Sequence, residues 1–298
     1  MPAKIISGKE ISGTIREELK ARAARLRAKG VVPGLAVVLV GEDPASVSYV
    51  TAKAKAADEI GILEATIRLP ATAAESEILG TVDDLNRDTR YHGFLVQVPL
   101  PRHVSSEKVI NLMRPEKDVD GFHPVNVGKM LRGEPCPLPC TPYGIVQLLV
   151  RSGYSPEGKH VVICGRSNIV GKPLAALLVQ KRKDANATVT VCHTATPDLA
   201  RFTLQSEILV AAMGVPRVIT AAMVPRGCVV IDVGNTRVED PAAAKGYRFV
   251  GDCDFEPIKE KAEAITPVPG GVGPMTVTML MMNTIEAAER KAGVLPAP

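Results

Sequence analysis

Four side chains in the first 120 residues have types and spacings that could bind a polar ligand or move a proton. Tyr49 and Lys53 are four residues apart, so they share one face of a helix. Gln97 lies near the end of an apolar run, and Asp120 lies in an acidic turn. A positioned lysine can exchange protons with a substrate. The same residues could equally be a solvated surface lysine and a loop amide, and the sequence leaves both interpretations open.

A second candidate site is the turn that follows the apolar segment from His160 to Cys164. Gly165 permits a sharp turn, and Gly171 permits close packing of a following helix, whose free N–H groups can bind a pyrophosphate. Ser167 replaces the middle glycine of the usual G-x-G-x-x-G pattern, and the last glycine comes one residue late. The pattern indicates a dinucleotide site, although a purely structural turn would also fit it.

The next predicted strand favours NADP over NAD as the cofactor. NAD-selective sites have an acidic residue near the end of that strand, where it binds the ribose 2′-hydroxyl. Here the strand ends in Cys192-His193-Thr194, which has no carboxylate, and Arg166 beside the turn could bind a 2′-phosphate. His193 by itself could be a solvated loop histidine.

Short apolar runs alternate with helix-length segments along the chain, as in parallel α/β sheets. The predicted strands cover residues 35–40, 64–69, 93–98, 160–164, 187–192, 208–212 and 228–233. The predicted helices cover residues 10–29, 45–59, 74–86, 141–150, 170–181 and 276–291. A proline-rich segment at residues 135–142 interrupts this pattern and is the best candidate for a domain boundary.

The chain of 298 residues is long enough for two α/β domains, each with its own core. We expect an N-terminal substrate and catalytic domain over residues 1–140 plus 274–298. We expect a C-terminal NADP-binding domain of Rossmann type, with a parallel sheet, over residues 141–273. The last helix should then pack back on the N-terminal domain.

Composition argues against several classes of function. The 36 basic and 32 acidic residues form no dense basic block, so we expect no nucleic-acid partner. No segment reaches the roughly 20 apolar residues of a membrane span, and no signal peptide is recognisable, so we expect a cytoplasmic protein that binds no membrane. The six cysteines lack metal-site spacing, which predicts reduced core thiols and no metal.

Six sequence segments, spread over nearly the whole chain, together resemble those of one known family. They are the helix with Tyr49 and Lys53, residues 96–101 (VQVPLP), 115–121 (PEKDVDG) and 139–142 (PCTP), the turn at Gly165, and residues 269–276 (PGGVGPMT). In this order they closely resemble the bifunctional methylenetetrahydrofolate dehydrogenase/methenyltetrahydrofolate cyclohydrolase family.

The resemblance implies a homodimer in which a cleft between the two domains binds tetrahydrofolate one-carbon derivatives. NADP-dependent oxidation of 5,10-methylenetetrahydrofolate would give 5,10-methenyltetrahydrofolate, and hydrolysis would give 10-formyltetrahydrofolate. The resemblance assigns Lys53 as the general acid/base and Gln97 as the residue that positions it. Tyr49 would stack on the aminobenzoate ring, and Asp120 would bind the pterin.

The resemblance also implies the remaining ligand contacts. Beyond the four catalytic residues, the implied substrate site consists of Val96, Val98, Pro99, Pro269, Gly270, Gly271, Val272, Gly273, Pro274, Met275, Thr276 and Val277. The implied cofactor site consists of Gly165, Arg166, Ser167, Gly171, Pro173, His193, Thr194, Gly214, Gly234 and Asn235. Two positions depart from the family pattern: Asn235-Thr236 stands where many members have Ile-Asn, and Thr194 stands in place of serine.

Two other functions stay open on the sequence alone. A shikimate-type NADP-dependent dehydrogenase of a small acid would also join a substrate domain to a Rossmann domain, but it would leave the loop at residues 269–276 unexplained. A dinucleotide-binding regulator would require a recognition helix or a basic face, and the sequence contains neither.

Overall fold

The computed structural model describes residues 2–243 and 246–295. The strands in this part of the chain are β1 (Lys4–Ile5), β2 (Gly34–Val40), β3 (Leu63–Leu69), β4 (Gly93–Val96), β5 (His160–Cys164), β6 (Thr188–Cys192), β7 (Ile208–Ala211), β8 (Val229–Asp232), β9 (Thr236–Glu239), β10 (Tyr247–Val250) and β11 (Ala264–Ile265). The α-helices are α1 (Gly8–Ala28), α2 (Pro44–Ile60), α3 (Glu75–Arg87), α4 (Ser106–Leu112), α5 (Pro124–Arg132), α6 (Cys140–Arg151), α7 (Gly171–Leu178), α8 (Leu199–Thr203), α9 (Phe255–Lys259) and α10 (Val272–Lys291).

The chain forms two compact α/β units. Residues 14–140 and 277–295 form what we call the N-terminal unit, and residues 2–13 and 141–276 form the C-terminal unit. The predicted N-terminal domain included residues 1–13 and 274–276. In the structure residues 2–13 group with the C-terminal unit, because β1 pairs in parallel with β11. Helix α10 from residue 277 onward lies in the N-terminal unit.

The N-terminal unit contains a parallel sheet with the strand order β3-β2-β4. All seven residues of the central strand β2 are buried, as the continuous apolar sequence predicts for a strand covered on both faces. Strand β4 ends at Val96, two residues before the predicted end. The N–H of Gln97 still donates to Val38, but Pro99 has no N–H with which to continue the ladder.

The C-terminal unit contains a parallel sheet with the strand order β1-β11-β8-β7-β5-β6. From β5 onward this is a doubly wound order, in which successive crossovers lead to opposite sides of β5. The crevice beside the carboxyl ends of β5 and β7 is therefore the expected ligand position. Strands β9 and β10 form a separate antiparallel pair.

Several predicted boundaries were wrong. Helix α7 ends at Leu178 instead of residue 181, because the chain turns there and the Ala187 N–H donates to the Leu178 carbonyl. Helix α10 begins at Val272 instead of residue 276. No element was predicted for β1, β9, β10 or β11, nor for the short helices α4, α5, α8 and α9.

All six cysteines are free and buried, as predicted. Within residues 2–243 and 246–295, no cluster of three His, Cys, Asp or Glu side chains is arranged as metal ligands would be. No helix in the same described ranges has the length and apolar character that crossing a lipid bilayer requires.

Candidate active site

Lys53 and Gln97 come from different elements and meet in the N-terminal unit. Nζ of Lys53 donates a hydrogen bond to Oε1 of Gln97 over 2.9 Å. Lys53 is only 9% exposed, and lysine is almost never this buried without a partner. The Gln97 amide nitrogen donates to the Val98 carbonyl over 2.7 Å, which directs the amide oxygen toward the amine. Lys53 is therefore an oriented, buried amine and not a solvated surface lysine.

Helix α2 and strand β4 place this pair. The carboxylate of Asp43 caps α2 by accepting a backbone N–H of the first turn, and Gly61 ends the helix in the left-handed conformation. Lys53 lies on the buried side of the helix between these two caps. Gln97 directly follows β4, at the carboxyl end of the parallel sheet, where open α/β sheets bind their ligands.

Tyr49 lies one helical turn before Lys53 on the same helix, as the spacing predicts. The two residues differ in burial, since Tyr49 is 42% exposed. An exposed aromatic ring one turn away from a buried amine gives a ligand an apolar surface beside a proton donor.

Asp120 lies in a turn that a second aspartate, Asp118, organises. The buried Asp118 carboxylate accepts the backbone N–H of Gly121 over 3.0 Å and that of His123 over 2.8 Å. Burial raises the pKa of Asp120 above its ordinary value, the charge of Lys53 opposes that rise, and Asp118 adds to it. The charge of Lys53 therefore acts on Asp120, and Lys53 itself is in direct contact with Gln97.

Two residues without a predicted role also hold this turn. Nδ2 of Asn283 donates to the carbonyls of Val119 and Leu138 over 2.8 Å each. The thiol of Cys140 lies 3.8 Å from Oδ1 of Asp120, and burial raises the pKa of this thiol well above its ordinary value. Asn283 interrupts a mostly apolar stretch of α10, and a polar residue at a buried helical position is the signal that could have identified it.

A cavity of about 30 Å³ adjoins Asp120 in the same unit. Its walls are mostly apolar, and they include the predicted substrate residues Val96 and Val98. The peptide bond between Val98 and Pro99 is cis, as is the bond between Val268 and Pro269. Asp120 is the predicted catalytic residue that lines this cavity, whereas Lys53 and Gln97 do not line it.

The predicted dinucleotide turn has the close contacts that its glycines require. A Cβ atom on Gly171 would lie 2.0 Å from the carbonyl oxygen of Gly165, and one on Gly165 would lie 2.2 Å from that of Ala212. Gly165 also has a φ of 138°, which favours glycine. Helix α7 begins at Gly171 with the buried Pro173 in its first turn, where a missing N–H is harmless. The Lys172 N–H donates to the Ser167 carbonyl over 3.1 Å, so of the first three residues of α7 only Gly171 keeps an N–H that could bind an anion.

The polar residues of this turn lie near those that follow β6. Cys164 and Cys192 are paired in register at the ends of β5 and β6, so residues 165–167 and 193–194 begin side by side. Arg166, Ser167 and Thr194 are exposed. His193 is partly buried, and its Nδ1 accepts the Ala195 N–H over 3.2 Å. This hydrogen bond gives His193 a local structural role.

The other predicted cofactor residues follow the neighbouring strands. Gly214 lies after β7, and Gly234 and Asn235 lie after β8, so all three are at the carboxyl edge of the sheet. Gly214 has a φ of 68° and is exposed, whereas Gly234 is buried. The structure therefore places every predicted cofactor segment along one edge of the C-terminal unit.

The predicted folate loop is largely the beginning of a helix. Only Pro269, Gly270 and Gly271 precede α10, and Val272, Gly273, Pro274, Met275, Thr276 and Val277 form its first turns. Proline is compatible with a first helical turn because its N–H would have no intrahelical acceptor there. The Met275 side chain is fully buried, and the Thr276 hydroxyl is hydrogen-bonded to that of Thr141 over 2.9 Å. Met275 therefore has a core position.

Comparison with known proteins agrees with this geometry. Residues 6–120 match the model of the tetrahydrofolate dehydrogenase/cyclohydrolase catalytic domain, and residues 139–292 match that of the NAD(P)-binding domain of the same family. The bifunctional protein FolD of Dehalococcoides mccartyi is 56% identical over 297 residues, which cover 99% of this chain and 100% of the relative.

Solved structures of the same family also match this chain over nearly its whole length. FolD of Campylobacter jejuni is 43% identical with a TM-score of 0.91, over 97% of this chain and 99% of that chain. FolD of Trypanosoma brucei, solved with NADP cofactor and an inhibitor, is 40% identical with a TM-score of 0.92, over 98% of this chain and 99% of that chain. The arrangement of Lys53, Gln97 and Asp120 thus occurs in a chain that matches these proteins from end to end. The chain belongs to the tetrahydrofolate dehydrogenase/cyclohydrolase family.

Proposed function

We propose that this chain is a bifunctional enzyme of folate one-carbon metabolism. It oxidises 5,10-methylenetetrahydrofolate to 5,10-methenyltetrahydrofolate with NADP and then hydrolyses that product to 10-formyltetrahydrofolate. The observation that carries the proposal is the buried hydrogen bond between Lys53 and Gln97, in a chain 56% identical over its length to a bifunctional FolD protein. A shikimate-type dehydrogenase is not favoured, because both family models belong to the folate enzymes.

Lys53 performs the proton transfers of the hydrolytic step. Water adds to the methenyl carbon and loses a proton, and ring opening then protonates N5 and leaves the formyl group on N10. Nζ of Lys53 exchanges these protons, and the overall reaction releases one proton to solvent. Support for this role comes from the 2.9 Å hydrogen bond to Gln97, which holds the amine in one direction within a largely buried position.

Gln97, Asp120 and Tyr49 bind and orient the substrate around Lys53. Burial raises the pKa of Asp120, so the carboxyl group is suited to exchange hydrogen bonds with the polar edge of a pterin. The exposed Tyr49 ring offers a surface on which the aminobenzoate ring can stack. The Pro269–Val277 segment supplies further substrate contacts.

The carboxyl edge of the C-terminal sheet fits NADP. Neither Gly165 nor Gly171 has room for a side chain, and the Gly171 N–H at the start of α7 is left for the pyrophosphate. Arg166, Ser167 and Thr194 are exposed donors for the 2′-phosphate. Gly171, Pro173, Gly214, Gly234, Asn235 and His193 complete this site. When bound, NADP supplies the acceptor for the hydride that leaves the methylene group.

The enzyme works as a homodimer in the cytoplasm. Support for a dimer comes from β3, which is an edge strand of the three-stranded sheet and has the exposed side chain of Leu63. The backbone N–H and C=O groups on the outer side of this strand could pair with a second copy of the chain. Support for the cytoplasm comes from the six free thiols, which suit a reducing compartment.

Two assays on the purified chain test the proposed function. With 5,10-methylenetetrahydrofolate and NADP, we expect NADPH to form, and with 5,10-methenyltetrahydrofolate alone, we expect the absorbance of the methenyl group to decay faster than in buffer. A chain that formed no reduced nicotinamide would not be the dehydrogenase, and one that left the methenyl group intact would not be the cyclohydrolase.

A further inference from the structure

Two aspartates are buried at the carboxyl edge of the six-stranded sheet in the C-terminal unit. Asp232 ends β8 and is 2% exposed, and Asp252 follows β10 and is 0% exposed. Both side chains are therefore almost completely removed from solvent. Burying carboxylates costs stability unless hydrogen bonds compensate for the lost water, so the partners of these two groups explain what they do.

Asp252 holds the segment that follows β7. Its Oδ2 atom accepts the backbone N–H groups of Met213 and Gly214, the latter over 2.9 Å. Its Oδ1 atom has no hydrogen-bond partner within residues 2–243 and 246–295. One oxygen of Asp252 therefore fixes two successive N–H groups in the segment that contains the proposed cofactor residue Gly214.

Asp232 holds the segment that follows its own strand. Its Oδ1 accepts the N–H groups of Gly234 and Asp252 over 2.9 Å each, and its Oδ2 accepts that of Cys253 over 2.9 Å. Burial raises the pKa of Asp232 to about 6 despite these three N–H donors, and the nearby Asp252 contributes to the rise. The two aspartates thus form one network that reaches both the Gly214 and the Gly234 segments.

The network is packed so closely that two glycines cannot be replaced. A Cβ atom on Gly251 would lie 1.9 Å from Oδ2 of Asp232, and one on Gly234 would lie 2.4 Å from Oδ1 of Asp252. Apolar side chains at these two positions would leave five backbone N–H groups without an acceptor. The two carboxylates therefore fix where these backbone segments lie.

We propose that Asp232 and Asp252 are positioning residues for NADP. They accept three N–H groups of the Gly214 and Gly234 segments, and two further N–H groups, those of Asp252 and Cys253, tie the Asp252 segment to Asp232. This inference rests on the proposed function, because it uses the assignment of both segments to the cofactor site. The proton transfers of hydrolysis need no dinucleotide. Loss of the network therefore weakens NADP binding and spares hydrolysis, whereas general loss of folding would impair both.

Three variants test the inference, with NADPH binding measured by the fluorescence of NADPH and methenyltetrahydrofolate hydrolysis measured separately. Asp252→Ala leaves two N–H groups without an acceptor, and we expect the Kd for NADPH to rise about tenfold or more. Asp252→Asn keeps one oxygen that can accept both, so its Kd should stay within about threefold of the wild type. Asp232→Asn turns an NH₂ group toward a backbone N–H and should weaken binding about tenfold. Hydrolysis should stay within about twofold in all three.

Ser206→Ala is the matched control. Ser206 is a buried residue of the same unit, its hydroxyl donates to Thr203 over 2.6 Å, and it precedes β7 at the opposite edge of the sheet. It should lower stability without changing the Kd for NADPH. Unchanged NADPH binding in Asp252→Ala would overturn the inference, and if that variant does not fold, unchanged binding in Asp232→Asn would overturn it. A wild-type chain that binds no NADPH would instead contradict the proposed function.

Discussion

His92 makes the stability of the N-terminal unit depend on pH. It is 8% exposed, and its Nδ1 atom accepts the Gly34 N–H over 3.1 Å. Burial, aided by the positive charges of Lys291 and Lys117, lowers the pKa of His92 from 6.5 to about 4. The unfolded chain therefore binds a proton between these two values that the folded chain does not bind. The contribution of His92 to the free energy of unfolding is complete above about pH 6.5 and is lost as the pH falls toward 4.

The magnitude follows from the difference between the two pKa values. At about 1.4 kcal/mol for each pH unit, the full difference is worth about 3 kcal/mol, and about 2 kcal/mol of it is lost by pH 5. His92→Asn keeps an acceptor for the Gly34 N–H but does not titrate. Free energies of urea unfolding, followed by circular dichroism at about pH 7.5 and pH 5, should fall about 2 kcal/mol further for the wild type than for this variant. An equal fall in both proteins would refute the reasoning.

Two further variants test separate parts of the account. Arg166→Ala removes a charged donor for the 2′-phosphate, so kcat/KM with NADP should fall about tenfold or more while that with NAD changes little; an equal fall with both cofactors would contradict this role. Asn283→Leu leaves the Val119 and Leu138 carbonyls without their amide donor, so the free energy of unfolding should fall by about 2 kcal/mol, and a change near zero in urea unfolding would show that the carbonyls find other donors.

The central strands could be predicted because short continuous apolar runs such as β2 and β5 alternate with helix-length segments. In a chain with that pattern, such runs are typical of strands that are buried on both faces. The start of α10 could not, since Gly271, Gly273 and Pro274 suggest a loop although proline fits a first helical turn. Strand β1 has two residues and pairs with β11, which is far away in the sequence, so no local pattern marks it.

The candidate active site could be predicted only where its residues lie in segments that resemble those of the family. Lys53, Gln97 and Asp120 each fall in such a segment, but the contact between Lys53 and Gln97 depends on how α2 and β4 are placed in space. The network of Asp232 and Asp252 could not be predicted, because four of its five N–H donors are 20 or more residues away from the carboxylate that accepts them. Only the structure shows which N–H groups a buried carboxylate accepts.

The most direct measurement of the central claim is the rate at which Lys53→Met hydrolyses 5,10-methenyltetrahydrofolate. Lys55, an exposed lysine on the same helix, gives the matched control Lys55→Met. If Lys53 moves the protons, its variant should lose about a hundredfold or more of the hydrolytic rate while it still binds NADPH, and Lys55→Met should keep the wild-type rate. A Lys53→Met enzyme that hydrolyses the methenyl group as fast as the Lys55→Met control would contradict the proposed role of Lys53.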